Sequence, residues 1–158
     1  KVKLQSDKQL ASLLQSIKTI ALLGASARPD RPSNRIFRYL VSAGYRVIPV
    51  NPLLHGEKIM GYNIVQSLED ILEPIDMVDV FRDSRHLPNI TESIIQLGIP
   101  ALWTQLGVSN TDAESAAVAA GIRLVIDRCP AIEIPRLQKL GLLPIPRCEP
   151  NNNNHYPL

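Results

Sequence analysis

The sequence contains little cysteine, no long apolar run and no signal peptide, and each absence narrows the class of protein. Its 2 cysteines, Cys129 and Cys148, have no CxxC spacing and do not make a disulfide framework. No apolar run approaches the length of a membrane span, and the first residues lack the apolar core of a secretory signal. We therefore expect a cytoplasmic protein in a reducing compartment.

Charge of one sign is also lacking. The 17 Lys and Arg residues nearly balance 15 Asp and Glu residues, and no basic run forms a nucleic-acid stripe. None of the 3 histidines is spaced as a metal ligand, and no convincing acid–base pair stands out. We expect a small-molecule ligand, and neither a nucleic acid, a membrane nor a metal ion.

The length and composition indicate one globular domain followed by a tail. A chain of 158 residues suffices for one hydrophobic core, and 45% hydrophobic with 20% charged residues is typical of globular proteins. The polar segment "PNNNNHYPL" has low complexity and predicts disorder. We expect a folded domain over 1–149 and a disordered tail over 150–158.

Short apolar segments alternate with helical patterns along the domain. The predicted strands are Thr19–Leu23, Tyr45–Val50, Asp76–Phe81, Ala101–Gln105 and Arg123–Ile126. Most are apolar almost throughout, as in a parallel sheet covered on both faces. This predicts an α/β fold, a single Rossmann-like doubly wound domain with a mostly parallel five-stranded sheet and flanking helices. A strand order of 3-2-1-4-5 would bring together the loops after the first and fourth strands.

Terminal signals delimit the helices. A leading helix (about 7–17) and a trailing helix (about 131–140) flank the others. Between them, the predicted starts and stops are Ser33 and Gly44, Ser67 with Asp70 for a brief helix, Pro88 and Gly98, and Thr111 with Glu114 before Gly121.

The segment "GASARPDRPS" between the first strand and its helix is typical of a phosphate-binding loop. Gly24 would let the backbone approach a phosphate, while Ala25 and Ser26 offer amides and Ser26 a hydroxyl. The backbone amides of Ser33 and Asn34 at the helix start add positive dipole. Arg28 and Arg31 are placed to meet anionic oxygens.

The second strand indicates which nucleotide the loop would hold. An NAD site usually carries an acidic residue there for the ribose hydroxyl, but this strand ends in "VIPVNP". A neutral Asn51, followed by His55 and Lys58, suits a ribose that carries a phosphate. This leaves NADP and coenzyme A as candidates.

Five motifs in order, "GASARPDRPSNR", "YLVSAGYRVIPVNP", "VDVFR", "LWTQLGV" and "VIDRCPAIE", resemble the YccU-like CoA-binding proteins. The resemblance runs from about Ile20 to Pro135 and implies the fold of the CoA-binding domain of the succinyl-CoA synthetase alpha subunit. That synthetase places its catalytic histidine in a second domain, which this sequence lacks. The resemblance therefore implies binding of CoA or an acyl-CoA without catalysis.

The resemblance also implies where CoA would lie. The pyrophosphate would lie along Gly24, Ala25 and Ser26, and the adenine and ribose beside Val50, Asn51 and Pro52. The 3′-phosphate would contact Lys58, with Arg28 and Arg31 as rivals. The adenosine or pantetheine would lie beside Val80, Phe81 and Arg82, and the pantetheine along Trp103, Thr104 and Gln105.

A few residues admit both a structural and a chemical interpretation. Cys129 follows the fifth strand beside Arg128, a cation that would favour the thiolate, so it either packs in the core or forms a mixed disulfide with CoA. Trp103 is either core or ligand wall. Asp79 and Asp83 are expected to be solvated or ion-paired.

Two other functions remain open at this point. An NADP-dependent oxidoreductase would bind NADP more tightly than CoA. A CoA-responsive interaction subunit would present CoA to a partner protein, and an exposed apolar patch on the leading or trailing helix would favour it.

Overall fold

A parallel β-sheet with helices on both faces forms the centre of the protein in a computed structural model that describes residues 3–144. The predicted tail (150–158) and Cys148 lie outside the described residues. In chain order the elements are α1 (Asp7–Ser16), β1 (Thr19–Leu23), α2 (Pro32–Ser42), β2 (Arg46–Val50), β3 (Lys58–Ile59), β4 (Tyr62–Asn63), a 3-10 turn (Leu68–Asp70), β5 (Met77–Val80), a 3-10 turn (Ser84–His86), α3 (Leu87–Leu97), β6 (Ala101–Thr104), α4 (Thr111–Ala119), β7 (Arg123–Val125) and α5 (Pro130–Lys139).

The main sheet has the order β2-β1-β5-β6-β7, and all its neighbouring strands are parallel. The predicted fold class is thus confirmed, with strand ends within one or two residues of the predictions. The order 3-2-1-4-5, which the sequence analysis considered, does not form, because β5 pairs with β1 rather than with β2. Pro49 gives the physical reason. It has no amide proton to donate, so β2 suits an edge of the sheet and not a position between two strands.

The two faces of the sheet form two hydrophobic cores. Side chains alternate along each strand, so Leu22 and Trp103 face one core, while Ala21 and Val78 face the other. Helices α1, α2 and α5 cover the first face, and α3 and α4 cover the second. The burial of both faces explains why the strand sequences are apolar almost throughout.

Three of the predicted helix caps are wrong. Ser33 lies inside α2, which starts at Pro32 after Arg31 and has no side-chain cap bond. The brief helix at 68–70 forms, but the Ser67 hydroxyl donates to the Asp70 carboxylate at 2.9 Å instead of accepting a backbone amide. Helix α4 is capped one residue earlier than predicted. The Asn110 side chain accepts from the Ala113 amide at 2.9 Å, and Glu114 accepts from the Asn110 amide at 3.1 Å.

Other helix ends agree with the sequence. Pro88 lies in the first turn of α3, and Gly98 ends that helix in a left-handed conformation with φ of 70°. Gly44 and Gly121 follow the ends of α2 and α4. The leading and trailing helices are α1 and α5, as predicted.

Short segments line both edges of the main sheet. Beside β2, Val65 donates its amide to the Pro49 carbonyl at 2.9 Å and accepts from the Asn51 amide at 2.9 Å. Beside β7, Lys3 pairs with Leu124, and the Leu4 amide donates to the Leu124 carbonyl at 2.6 Å. The antiparallel hairpin of β3 and β4, which the sequence analysis did not predict, precedes Val65 in the chain.

Candidate functional site

The loops that follow the parallel strands meet at one edge of the molecule, called here the carboxyl rim. It comprises residues 24–31, 51–57, 81–86, 105–110 and 126–129. In open α/β sheets ligands bind at this end, beside the point where the strand order reverses. With the observed order that point lies between β1 and β5. The loops after β1 and β5 meet there. The sequence analysis had instead paired the loop after β1 with the loop after the fourth predicted strand, which is β6.

Gly24 is the contact between these two loops. Its φ is +93°, and a Cβ built on it would lie 2.3 Å from the carbonyl oxygen of Phe81. Glycine is therefore required here by the backbone of the neighbouring loop. The sequence analysis assigned this glycine to a close approach of a phosphate, and the structure adds the close approach of the Phe81 carbonyl.

Backbone hydrogen bonds hold residues 24–31, which are called here the GAS loop. The amides of Gly24 and Ala25 donate to the Val50 carbonyl at 2.8 and 3.2 Å. The Ala25 amide, which the sequence analysis proposed as a phosphate donor, is thus engaged by the protein backbone in this structure. The Ser26 hydroxyl accepts from the Arg28 amide at 3.2 Å and turns the loop toward its arginines.

Two asparagines brace the GAS loop from neighbouring elements. Asn34, buried on α2, donates its side-chain amide to the Ser26 carbonyl at 2.8 Å. Asn51, after β2, donates to the Ala25 carbonyl at 2.8 Å and accepts from the Leu53 amide at 2.9 Å. The Asn51 side chain is thus engaged by the protein itself. A structural role of this kind leaves no signal in one sequence, since asparagine is common in any loop.

The cationic residues of the predicted site are accessible. Arg28 lies 3.3 Å from Asp30 in an ion pair whose side chains are 66% and 69% exposed. Arg31 and Lys58 are exposed, on the GAS loop and on β3 respectively. These three positive side chains face solvent near the rim, so each is accessible to an anion.

Several predicted ligand contacts are buried instead. Ala25, Val50, Val80, Thr104 and Trp103 have no exposed surface, and Gln105 is also buried. Trp103 belongs to the core on the α5 side, where its indole N–H donates to the Arg128 carbonyl at 2.7 Å. These side chains support the rim from beneath. Pro52 is exposed, and Phe81 and Arg82 are half-buried at the surface.

Side-chain hydrogen bonds join the rim loops after β5, β6 and β7. The Thr104 hydroxyl donates to the Val108 carbonyl at 2.7 Å and accepts from the Asp127 amide at 3.0 Å. The Asp127 carboxylate accepts from the Gly107 amide at 2.6 Å, and the Ser84 hydroxyl accepts from the Ser109 amide at 3.0 Å. A rim fixed in this way is preorganised, which lowers the entropic cost of ligand binding.

Asp79 is the residue that the sequence analysis placed most wrongly. It was expected to be solvated or ion-paired, but it has no exposed surface. One carboxyl oxygen accepts from the Gln105 side-chain amide at 2.8 Å, and the other has no hydrogen-bond partner among residues 3–144. Burial raises the pKa of Asp79 to about 7, although the hydrogen bond from Gln105 opposes the shift.

Cys129 lies at the rim and also packs in the core. It immediately precedes α5 and is 9% exposed within the core cluster on the α5 side. The Arg128 guanidinium, which was expected to act on the thiol, donates to Glu133 at 3.1 Å. Glu133 also accepts from Arg136 at 2.8 Å, so the positive charge of Arg128 is committed to a buried carboxylate.

A cavity of about 610 Å³ opens at the β7 end of the rim, away from the GAS loop. Its lining includes Ser109, Asp127 and Arg128, and none of the predicted CoA contacts. Within residues 3–144 no group of three or more histidine, cysteine or acidic side chains is arranged to hold a metal ion. No helix in that range is long and apolar enough to cross a membrane.

The trailing helix does not carry a continuous apolar patch. Ile132 and, just after the helix, Leu140 are 54% and 56% exposed. They stand at opposite ends of α5, and single exposed apolar residues are normal on a protein surface.

Comparisons with known proteins agree with this fold. A family model for a CoA binding domain matches residues 18–135. The uncharacterized protein YneT of Bacillus subtilis is 37% identical over 124 residues, which is 78% of this chain and 90% of YneT. The solved structure of cell-free ID.343 from Thermus thermophilus is 41% identical with a TM-score of 0.80, over 84% of this chain and 99% of that one. A hypothetical protein from Pyrococcus horikoshii OT3 is 33% identical with a TM-score of 0.81, over 87% and 97% of the two chains.

Proposed function

Because the chain belongs to the CoA-binding domain family, we propose that it binds coenzyme A or an acyl-CoA at the carboxyl rim. The observation that carries the proposal is the position of the GAS loop at the reversal point between β1 and β5, the usual ligand position in such sheets. The loop is rigid, and exposed cations surround it. A rigid loop beside positive side chains suits a ligand with several phosphate charges.

The pyrophosphate is proposed to lie along Gly24, Ala25 and Ser26, near the start of α2. In the described conformation the amides of Gly24 and Ala25 are engaged by Val50 and Ala25 is fully buried, so Gly24 and Ser26 offer the accessible surface of the loop. The positive end of α2 and the guanidinium of Arg31 would therefore provide the attraction. Ser33 and Asn34 would act within the helix start, with Asn34 fixing the loop.

The 3′-phosphate is proposed to select CoA over NAD. Lys58 is the first candidate for this contact, since β3 carries it on an exposed side chain close to the second-strand loop. Arg28 is a weaker candidate because Asp30 already neutralises part of its charge. Pro52, Phe81 and Arg82 would border the adenosine and the start of the pantetheine.

The buried residues Val50, Val80, Trp103, Thr104 and Gln105 are proposed to hold the rim from below. We propose a binding module without a catalytic step, since neither the sequence nor the geometry suggests an acid–base pair at the rim. A CoA-responsive role toward a partner protein is compatible with this proposal. A cytoplasmic location of the protein is also compatible with it.

Cys129 is proposed to form a mixed disulfide with CoA under oxidising conditions. The thiolate would attack a CoA disulfide, form the Cys129–CoA bond and release one CoA thiol, so that electrons balance without a further oxidant. A reductant-sensitive CoA adduct in mass spectrometry, absent from Cys129→Ser, would support this role. Non-covalent binding alone would leave Cys129 as a packing residue.

The experiment that tests the function is a calorimetric titration with CoA, 3′-dephospho-CoA, NAD and NADP. We expect CoA to bind most tightly, and a concentration of about a hundred times its Kd to stabilise the fold by roughly 2.7 kcal/mol. Tighter binding of NADP would favour the oxidoreductase. If none of the four ligands binds, the proposal is wrong.

Single charge removals assign the 3′-phosphate. Lys58→Ala is expected to weaken CoA binding about tenfold, or ~1.4 kcal/mol, and to leave 3′-dephospho-CoA binding nearly unchanged. Lys139→Ala serves as the matched control, because Lys139 is exposed at the end of α5 remote from the rim. Equal losses for both ligands in Lys58→Ala would reject this contact.

A further inference from the structure

We propose that Asp79 couples ligand binding to proton uptake, so that CoA binds more tightly when the Asp79 carboxyl is protonated. The inference rests on the proposed function, since CoA supplies the anion. Its basis is a carboxyl group that lies in the centre of the sheet, directly beneath the reversal point.

The sheet places Asp79 close to the GAS loop. On β5 it lies in register between Leu22 of β1 and Trp103 of β6. Two residues further along, β1 reaches Gly24 and β5 reaches Phe81, where the two loops touch. Because a strand advances about 3.3 Å per residue, the carboxyl lies within roughly 10 Å of the GAS loop.

The surroundings of Asp79 favour its neutral form. It has no exposed surface, and one oxygen has no partner among residues 3–144. The other oxygen accepts from Gln105, which is neutral. A carboxylate without a cation or a full set of donors is costly to bury, whereas a protonated carboxyl is tolerated.

Among residues 3–144, no charged side chain compensates for this burial. Helices α1, α2 and α5 cover the face. The charged or titratable side chains on these helices or packed against the same core are Asp7, Lys8, Arg35, Arg38, Tyr39, Tyr45, Tyr62, Cys129, Glu133, Arg136 and Lys139. Asp7 and Glu133 pair with Arg136, and Arg38 donates to Asn34. Burial raises the pKa of Asp79, and the hydrogen bond from Gln105 opposes the shift. With its pKa near 7, both forms are populated at neutral pH.

An anion bound at the GAS loop would change that balance. Negative phosphates above the sheet repel an ionised Asp79 and do not repel a neutral one. By linkage, the ligand raises the proton affinity of Asp79 by the same factor as protonation raises ligand affinity. For one charge at about 10 Å and an effective dielectric constant of about 20, this factor is on the order of tenfold.

The test is a calorimetric titration of CoA into the full chain and into Asp79→Asn at about pH 6 and about pH 8. Asparagine has the shape and charge of the protonated carboxyl and can still accept from Gln105. Wild-type affinity is expected to fall about fivefold more between the two pH values than the affinity of Asp79→Asn, because a tenfold coupling is only partly developed within one pH unit on either side of the pKa. The 3′-phosphate of CoA itself titrates near pH 6 in both proteins, so the comparison removes its effect. Asp83→Asn is the control. Asp83 carries an exposed carboxyl group on the loop after β5, so this variant should keep the wild-type pH dependence.

A second measurement needs no variant. Binding of 3′-dephospho-CoA near neutral pH, titrated in buffers of different ionisation enthalpy, should take up a fraction of a proton per ligand. Equal pH ratios in wild type and Asp79→Asn, or no proton uptake, would overturn the coupling and leave CoA binding intact. An absence of binding at both pH values would overturn the proposed function as well.

Discussion

At the scale of single residues, the most informative position is Gly24, because two independent constraints fall on it. Its positive φ is strained for any other residue, and its missing side chain leaves room for the Phe81 carbonyl. The sequence analysis assigned this glycine to a close approach of a phosphate. It could not show that the second constraint comes from a loop almost sixty residues away along the chain.

Replacing Gly24 by alanine should therefore destabilise the fold and not only weaken ligand binding. We expect a loss of at least about 2 kcal/mol in the free energy of unfolding, from backbone strain and from the clash. Gly107→Ala is the matched control. Gly107 has φ of +82°, but a Cβ there meets nothing within 4 Å, so only strain of about 1 kcal/mol is expected. Urea denaturation measures both, and equal losses would show that the contact with Phe81 has no energetic weight.

The buried residues show where reasoning from residue type fails. Aspartate is rarely buried without a partner, so Asp79 was expected at the surface. Trp103 was expected either in the core or in the wall of the ligand site, and the structure places it in the core. In both cases the decisive information is which loops lie next to the residue. The loop after β6 supplies Gln105 to Asp79, and the loop after β7 supplies the Arg128 carbonyl to Trp103.

At the scale of elements, strands and helices were predicted more accurately than helix caps. A buried parallel strand has a strong apolar signal, whereas adjacent residues often compete for the same cap. Asn110 and Thr111 both suit an N-cap, and only the backbone decides between them. The β3–β4 hairpin was missed because each strand has only two residues, too few for an alternating pattern.

The α4 cap gives a direct test at this scale. Asn110→Ala removes the acceptor for the Ala113 amide and should cost about 1 kcal/mol of stability. Thr111→Ala replaces an exposed residue inside the first turn with a better helix former and should leave stability unchanged or raise it by a few tenths of a kcal/mol. Thermal or urea denaturation of the two variants distinguishes them. A larger loss for Thr111→Ala would return the cap to the position predicted from sequence.

At the scale of the whole molecule, the strand order determines which loops form the site. The sequence predicted five parallel strands but not that β5 follows β1 in space. Pro49 was the available signal, because a proline in β2 argues against neighbours on both sides. Because β5 lies beside β1 in the sheet, the loop after β5 lies opposite the GAS loop.

The same order predicts how protection is distributed across the molecule. Strand β1 is bonded on both sides, and Ile20, Ala21 and Leu22 are fully buried. Hydrogen–deuterium exchange should therefore be slowest in β1 and β5 and fastest across 52–61, where most side chains are exposed. Peptide-level mass spectrometry checks this order. Equal protection of the hairpin and of β1 would mean that the sheet centre is not the last part to open.

The segments beside the outer strands have a consequence for self-association. An open sheet with two bare edges invites a strand from another molecule, which is a common route to aggregation. Here Val65 occupies backbone groups beside β2, whose Pro49 offers no donor, and Lys3 and Leu4 pair with the outer side of β7. Both margins are thus partly blocked to an incoming strand. Copies of this protein that associate are expected to do so through helices or rim loops, with each sheet remaining closed to the other.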